Sequence, residues 1–222
     1  MAFSKINLAA FAVEALADFH TIGAVAPSSR FLAQAMLQPL PLKKTMVAVE
    51  LGSGTGVMTQ ALLNLIPFDA TLFAFEINPR FLQHLKSTVS DPRLVLINAS
   101  AESIEIELRR HGYKHADAVV SSLALGLMPN AQRHALLNGI GGLLDETGVF
   151  TQYQYLHSLQ LQNGQLKKFS VSRLLRQYFS SVHRRTIWRN LPPAFVFACR
   201  GRYGRLPEAH LPGQPAPAPP GL

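Results

Sequence analysis

The chain has 222 residues, of which 48% are hydrophobic, and its formal net charge is +8 at pH 7. That size and composition suffice for one buried core, so we expect a single domain with appendages. The single cysteine, Cys199, excludes an intramolecular disulfide framework and a cysteine-rich metal site. No apolar run reaches the ~18 residues of a membrane span, and the first 20 residues lack the pattern of a secretion signal.

Positive charge is concentrated in the last third of the chain. Residues 147–222 carry ten of the 21 Lys and Arg residues, and Glu208 is their one acid. This asymmetry favours a polyanionic partner, either an anionic lipid surface or a nucleic acid. The plain alternative is a basic face that only contacts solvent.

Residues 5–20 repeat apolar side chains at helical spacing, which predicts an amphipathic helix. This helix either contacts a membrane surface or packs on the domain, and the pattern does not choose between the two. A loop at 21–27 follows. Ser28 or Ser29 is then expected to cap a short helix, Arg30–Leu37.

Between Lys44 and Val149, strand patterns alternate with helix patterns, which predicts an α/β fold with helices on both faces of a mainly parallel sheet. Strands are predicted at Met46–Leu51, Thr71–Glu76, Leu94–Ile97, Ala116–Ser121 and Val149–Tyr153, and helices at Val57–Leu65, Pro79–Thr88, Ser103–Arg110 and Asn130–Leu144.

A helix over Lys168–Phe179 and a closing pair of strands, Val182–Trp188 and Ala194–Arg200, complete the predicted domain. Residues 204–222 contain six of the 15 prolines, so a disordered tail is expected there. The predicted organisation is an N-terminal helix and lid segment at 1–43, a catalytic domain at 44–203 and the tail.

A glycine-rich turn joins the first predicted strand to its helix, in the sequence Glu50-Leu-Gly52-Ser-Gly54-Thr-Gly56. The glycines allow a tight turn and close approach of a ligand to the backbone. Glu50 repels pyrophosphate and attracts a cation, such as the amino and sulfonium groups of S-adenosylmethionine. Glu76 ends the next strand, where it can accept hydrogen bonds from a ribose diol.

This combination of E-x-G-x-G-x-G with a second acid resembles the class I methyltransferases. The resemblance implies a doubly wound, mainly parallel seven-stranded sheet and S-adenosylmethionine as cofactor. The plain alternative is another doubly wound nucleotide-binding domain. The cofactor residues that the resemblance implies are Glu50, Gly52, Ser53, Gly54, Gly56, Glu76, Ile77, Ser100 and Ala101.

Within that set, Ser100 stands where many such families carry an aspartate that accepts from the adenine amine. Its hydroxyl can accept the same bond, with the Ala101 amide as a second contact and Glu102 as a substitute. Ser100 is alternatively a helix cap, and the two roles are compatible.

The loop after the fourth strand, Ser121-Ser122-Leu123-Ala124-Leu125, is expected to border the transferred methyl group, and Ser121 and Ser122 are candidate catalytic residues. Enzymes that methylate the exocyclic amine of adenine carry an Asn or Asp and an aromatic residue in this loop to hold a flipped base. Neither is present here, which argues against base methylation.

Two flanking segments resemble the bacterial phospholipid N-methyltransferases: Gly-Ala-Val-Ala-Pro-Ser-Ser-Arg, ending at Arg30, and Trp-Arg-Asn-Leu-Pro-Pro-Ala, ending at Ala194. The resemblance runs from about Phe19 to Arg200. It implies stepwise methylation of phosphatidylethanolamine through mono- and dimethyl forms to phosphatidylcholine. Ornithine lipid is an alternative substrate, and the overall similarity to ribosomal RNA adenine dimethylases makes RNA methylation the second alternative.

The same resemblance implies a substrate site. Ser28, Ser29 and Arg30 are expected to bind the lipid phosphate, although capping serines and a surface arginine are the plain alternative. Tyr155 is expected to hold the methylated ammonium by cation–π attraction and to take part in catalysis. Arg189 binds phosphate or orders its turn.

The reaction needs no metal, and the residues do not identify a general base. His20, Glu14, Asp18 and Tyr155 all remain candidates. We expect an amino-phospholipid as the partner, not a nucleic acid. The protein is expected in the cytoplasm, peripherally bound to the anionic inner face of the bacterial cytoplasmic membrane.

Overall fold

The computed structural model describes residues 27–155, 159–162, 165–190 and 193–202. For 27–29, 159–162 and 165–168 it describes the course of the backbone. The predicted helix at 5–20 and the predicted tail at 204–222 lie outside these residues. None of the described helices has the length and apolar character that crossing a bilayer requires.

A seven-stranded sheet forms the centre of the described domain, with strand order β3-β2-β1-β4-β5-β9-β8. The first five strands are parallel, and β9 and β8 run antiparallel at one edge. A separate hairpin, β6–β7, follows β5. The strands are β1 Val47–Leu51, β2 Thr71–Phe75, β3 Leu94–Ile97, β4 Ala116–Ser121, β5 Leu144–Tyr155, β6 Leu159–Gln162, β7 Gln165–Lys168, β8 Phe179–Ile187 and β9 Ala194–Arg202.

Helices cover both faces of the sheet and divide the core into two clusters. One cluster packs α4, α5 and α6 against one face. The other packs α1 and α2 against the opposite face. The helices are α1 Pro27–Leu37, α2 Val57–Leu63, α3 Pro79–Thr88, α4 Ile104–Arg110, α5 Asn130–Leu143 and α6 Val171–Leu175.

Burial on both faces explains the nearly continuous apolar runs that predicted the parallel strands. Every residue of β1 is buried, including Glu50. Local capping explains where α3 begins, because Asn78 accepts a hydrogen bond from the Arg80 amide and Pro79 occupies the first turn. The predicted class I methyltransferase architecture, with its seven-stranded, mainly parallel sheet, is confirmed.

Two helix predictions were wrong in extent. The first helix begins at Pro27, so Ser28 and Ser29 lie inside its first turn and do not precede it; a proline is well suited to that first position. The helix predicted over Lys168–Phe179 is only Val171–Leu175. Its beginning is fixed by Ser170, whose side chain accepts from the Arg173 amide, and β8 already starts at Phe179.

The strand predicted at Val149–Tyr153 is longer at both ends, and the β6–β7 hairpin that follows was not predicted. The register of β5 against β4 shifts between Ala116 and Ala118, which lets the strand begin directly after α5. The extension of β5 at residues 154 and 155 and the hairpin that follows lie next to the carboxyl ends of the strands. Ligands of doubly wound sheets bind at that edge.

Candidate active site

The glycine-rich turn leaves β1 and enters α2 with positive φ angles at Gly52, Gly54 and Gly56. The Gly52 amide donates to the Phe75 carbonyl at 2.9 Å, which ties the turn to the end of β2. A Cβ added at Gly54 meets no atom within 4 Å. The turn is therefore open above Gly54, as a backbone cradle for a ligand requires.

Glu50 is fully buried directly before this turn. The Thr59 hydroxyl donates to its Oε2 at 2.6 Å, whereas none of the described residues forms a hydrogen bond with its buried Oε1. Burial raises the pKa of Glu50 to about 7, the Thr59 hydrogen bond lowers it, and the charge of Glu76 raises it. A buried carboxylate with one oxygen unpartnered fits a cationic ligand group, such as an amino group.

Glu76 is held in place by backbone amides. Its Oε2 accepts from the Gly54 amide and its Oε1 accepts from the Asn78 amide, both at 2.8 Å. Each carboxylate oxygen keeps a further lone pair for a ligand hydroxyl. Beside it, the Ile77 side chain is 70% exposed, which leaves an apolar surface for a flat ring. These positions fit a ribose and an adenine.

At the end of β3, the Ser100 hydroxyl donates to Glu102 Oε2 at 2.9 Å. Ser100 precedes a 3-10 turn, Ala101–Ser103, but its side chain makes no capping hydrogen bond. The capping alternative for this side chain was therefore wrong; the hydroxyl donates to Glu102, and its oxygen can still accept from an adenine amine. Ser100 stays beside buried Ala101, where the adenine contact was predicted.

The loop after β4, residues 122–129 and here called the strand-four loop, packs on the glycine turn. The Ser122 amide donates to the Leu51 carbonyl at 2.9 Å, and a Cβ added at Gly52 would lie 3.0 Å from Leu123 Cδ2. Ser121 is fully buried, and its hydroxyl accepts from the Leu123 amide at 3.3 Å. Ser121 thus shapes the loop, while Ser122 is partly exposed.

Gln152 joins this site from β5, and the sequence analysis missed it. It pairs with Ser121 in the sheet and is fully buried. Its Nε2 donates to the Leu123 carbonyl at 2.9 Å and to the Tyr153 carbonyl at 2.7 Å. Its Oε1 is buried and has no hydrogen-bond partner among the residues that the structure describes. The T-Q-Y-Q-Y sequence gave no signal of this role, because the role depends on the register of Gln152 against Ser121.

Thr59 was missed as well. It lies one turn into α2, where its side chain is fully buried against Glu50. The signal in the sequence was a threonine nine residues after Glu50, on the first turn of the predicted helix Val57–Leu65. Its hydrogen bond holds Oε2 of the Glu50 carboxylate and leaves Oε1 without a partner in the described residues.

The far end of the strand-four loop is held by Arg133 of α5, which is 3% exposed. Its Nη2 donates to the Met128 carbonyl at 2.6 Å, and its guanidinium lies 4.3 Å from the centre of the Phe169 ring. Burial lowers the pKa of Arg133. From β5, Gln154 Nε2 donates to the Phe169 carbonyl at 3.1 Å. The loop is thus fixed at both ends by buried polar side chains.

The predicted substrate residues lie on the face of the sheet that α1 covers. Tyr153 and Tyr155 pack there with Phe31, their rings 5.3 Å apart and edge to face. Burial is the main cause that raises the pKa of both phenols, so neither is a ready base at neutral pH. The Arg189 guanidinium lies 4.8 Å from the centre of the Phe31 ring.

Arg30 is exposed on α1. The side chains of Ser28 and Ser29 lie outside the described residues, so their predicted phosphate contacts stay predictions. In the part of the chain that the structure covers, no three His, Cys, Asp or Glu side chains are grouped as a metal site.

Comparisons with known proteins agree with this architecture. The family described as "Methyltransferase domain" matches residues 48–148. A curated relative, the ornithine lipid N-methyltransferase of Singulisphaera acidiphila, is 26% identical over 181 residues, which are 81% of this chain and 88% of that protein.

Among solved structures, the 1,6-didemethyltoxoflavin-N1-methyltransferase of Burkholderia thailandensis has a TM-score of 0.60 at 18% identity, covering 88% of each chain. A Clostridium thermocellum protein described as an rRNA-methylase has a TM-score of 0.59 at 18% identity, covering 82% of this chain and 99% of that one. At such identities these structures show the shared fold.

The residues at the glycine turn fit S-adenosylmethionine. The open space above Gly54 lets the cofactor approach the backbone. The buried Oε1 of Glu50, which has no partner in the described residues, fits the positive charge of the cofactor. Glu76, which backbone amides hold in place, fits its ribose. Together with the matched domain and the strand order, they identify the chain as an S-adenosylmethionine-dependent methyltransferase of the class I fold.

Proposed function

We propose that the protein methylates the amine head group of a membrane amino-lipid, with phosphatidylethanolamine and its mono- and dimethyl forms as substrates and phosphatidylcholine as the end product. The observation that carries this proposal is the similarity to the ornithine lipid N-methyltransferase. That similarity covers 181 residues and so extends well beyond the domain match at 48–148. It therefore includes residues on both sides of that domain.

Phosphatidylethanolamine and ornithine lipid share the chemistry that matters here. Each presents a primary amine near an anionic group, a phosphate in one and a carboxylate in the other. The flanking segments that end at Arg30 and Ala194 resemble the phospholipid enzymes, which favours phosphatidylethanolamine. Ornithine lipid is the alternative, because the curated relative carries that name.

The strand-four loop supports an aliphatic amine over a nucleobase. Leu123, Ala124 and Leu125 provide an apolar wall, and the loop has neither the amide nor the aromatic ring that holds a flipped adenine. On the other face, Tyr155 and the Phe31–Arg189 pair lie beside α1. An aromatic face attracts a methylated ammonium, and an arginine attracts a lipid phosphate.

S-adenosylmethionine supplies an electrophilic methyl group when it is bound. The protein's contribution is then mainly orientation of the amine, since in-line displacement needs no metal. The amine must lose a proton before each transfer because its lone pair is the nucleophile. The buried tyrosines do not take that proton, since their raised pKa values keep them neutral. We propose water as the acceptor of that proton, with His20, Glu14 and Asp18 as the alternatives; these three lie outside the described residues.

The test is a methyl-transfer assay with labelled S-adenosylmethionine and three acceptors in parallel. These are phosphatidylethanolamine vesicles, ornithine lipid vesicles and ribosomal RNA. We expect label in phosphatidylethanolamine, and label in ornithine lipid alone would select the alternative substrate. Label that enters only RNA would refute the lipid proposal. The Glu76→Ala variant is the control, because losing the ribose acceptor should abolish transfer to every acceptor.

A further inference from the structure

The side-chain amide of Gln152 is fixed in one orientation by its partners. Its Nε2 contacts two carbonyl oxygens, those of Leu123 and Tyr153, at 2.9 and 2.7 Å. A carbonyl oxygen only accepts hydrogen bonds, so the nitrogen must occupy this side and the oxygen the other. The amide cannot be flipped without placing oxygen against oxygen.

The orientation leaves Gln152 Oε1 buried without a hydrogen-bond partner in the described part of the chain. Buried acceptors are nearly always satisfied, and one that is not calls for an explanation such as an absent ligand. The same condition holds for Oε1 of Glu50, at the cofactor side of the site. Glu50 and Gln152 lie near the carboxyl ends of β1 and β5, two parallel strands that β4 separates. Within the described residues, Ser53 Oγ and Thr151 Oγ1 are also buried without a partner.

Gln152 lies on β5 beside the point where β4 ends and the strand-four loop begins. It lies opposite Ser121 at the end of β4, and its amide holds the carbonyl of Leu123. The Leu123 side chain in turn packs against Gly52 of the cofactor turn. One residue therefore separates Gln152 from the loop that carries the cofactor.

We propose that Gln152 Oε1 accepts a hydrogen bond from an N–H of the substrate amine and so orients the nitrogen lone pair toward the methyl group. The inference rests on the proposed lipid N-methyltransferase function. In the step it assists, the nitrogen forms a bond to the methyl carbon and the electrons of the carbon–sulfur bond go to sulfur. A proton then leaves the new ammonium to water, because an amide oxygen is too weak a base to take it.

This role depends on how many hydrogens the amine carries. The neutral nitrogen of phosphatidylethanolamine has two N–H groups, the monomethyl lipid has one and the dimethyl lipid has none. Gln152 therefore assists the first and second transfers, in which positive charge develops on a nitrogen that still donates. It gives no hydrogen bond to the third.

The experiment measures kcat/KM for each of the three lipids separately, presented in vesicles with phosphatidylglycerol, for the wild type and for Gln152→Leu and Gln152→Met. If the wild type accepts only ornithine lipid, the corresponding mono- and dimethyl forms of that lipid are used. Calorimetry with S-adenosylmethionine verifies that each variant retains its cofactor site.

We expect each variant to lower kcat/KM for the first two lipids by roughly tenfold or more beyond any decrease that it causes for the dimethyl lipid. If the variants act only through the lost contact with the Leu123 carbonyl, kcat/KM falls by the same factor for all three lipids, and that result would overturn the inference. The matched control is Gln154→Leu, which removes an amide on the same strand that has no buried unpartnered oxygen. It should alter the three values in equal proportion.

If neither variant binds cofactor, a crystal structure of the wild type with S-adenosylhomocysteine and phosphoethanolamine decides. An amine nitrogen within ~3.2 Å of Gln152 Oε1 supports the proposal, and a nitrogen beyond hydrogen-bond distance overturns it. A wild-type protein that methylates RNA and no lipid refutes the proposed function and this inference together. A wild type that methylates lipid, with variants that slow all three lipids equally, refutes the inference alone.

Discussion

Glu50 and Glu76, in the cofactor half of the site, have different roles because their surroundings differ. Glu76 receives two backbone amides and is anchored as an acceptor. Glu50 receives one hydroxyl and is otherwise desolvated, so burial raises its pKa to about 7. A cation bound at Glu50 favours the ionised carboxylate. Cofactor binding should therefore release a proton near neutral pH and strengthen as the pH rises through 7.

The same shift affects folding. Because the folded-state pKa lies above the ordinary 4.5, the folded protein retains a proton that the unfolded chain loses between about pH 4.5 and 7. The stability associated with that proton is present below pH 4.5 and is lost as the pH rises through 7, by roughly 3 kcal/mol at most. Ionised Glu50 therefore destabilises the ligand-free protein, and a bound cation offsets that destabilisation.

We predict that Glu50→Gln gains thermal stability relative to the wild type as the pH rises from 4.5 to 8, and that it binds S-adenosylmethionine at least tenfold more weakly at pH 8. Thermal unfolding across that range and calorimetry measure the two effects. Glu105→Gln is the control, since Glu105 is exposed in a surface ion pair with Arg109. A stability difference for Glu50→Gln that does not vary with pH would contradict the assignment.

At the level of elements, the glycine turn separates a folding requirement from a binding requirement. Gly56 has φ 84°, and a Cβ there would lie 2.5 Å from Cδ2 of the buried Leu85 on α3. Gly54 also has a positive φ, 52°, but a Cβ there meets open space. Gly56 therefore permits α2 and α3 to pack together, and Gly54 keeps the space for the ligand free.

We predict that Gly56→Ala lowers the free energy of unfolding by roughly 2–4 kcal/mol, because backbone strain and the contact with Leu85 add. Gly54→Ala should cost roughly 1 kcal/mol, from strain alone, yet weaken cofactor binding at least tenfold, because its methyl group enters the cradle. Chemical denaturation and calorimetry on both variants test this. Wild-type cofactor affinity in Gly54→Ala would show that the ligand does not approach this part of the turn.

The sequence was sufficient for elements whose periodicity reflects burial on both faces. The strands β1 to β4 and helix α3 follow the apolar pattern closely, and the two acids could be placed at strand ends from spacing alone. Helix α6 was overestimated because a local cap at Ser170 outweighed a longer apolar pattern. Gln152 could not be found in this way. Its importance comes from its register against Ser121 and from the fold of the strand-four loop, which spacing along the chain does not encode.

At the scale of the whole molecule, several of the basic residues in the last third of the chain lie at one edge of the sheet. β8 is an outer strand of the sheet, with His183, Arg184 and Arg185 exposed along it. Arg185 hydrogen-bonds to Gln38 and Arg200 to the Pro39 carbonyl, which brings the segment after α1 to the same edge. We call this surface the basic edge; its residues are Arg184, Arg185 and Arg200.

A lipid with two acyl chains stays in its bilayer, so an enzyme that methylates its head group must act at the membrane surface. Basic side chains each contribute roughly 1 kcal/mol near an anionic leaflet, and salt screens that attraction. We therefore predict reversible binding to phosphatidylglycerol-containing vesicles that weakens as salt rises. The double variant Arg184→Gln, Arg185→Gln should reduce vesicle affinity by roughly tenfold or more at low salt.

Vesicle sedimentation measures this affinity, with Arg109→Gln, Arg110→Gln as the matched control. Those two arginines are exposed but pair with Glu105 and Glu107 on α4, away from β8, so their loss should leave binding unchanged. Deleting residues 1–18 tests the other predicted contact, the apolar helical pattern of the N-terminal segment, because insertion of apolar side chains is insensitive to salt. If the truncated protein still binds and the β8 variant does not, the basic edge is the main membrane contact. Equal losses in the β8 variant and its control would instead mean that net charge alone, without a defined surface, brings the enzyme to the lipid.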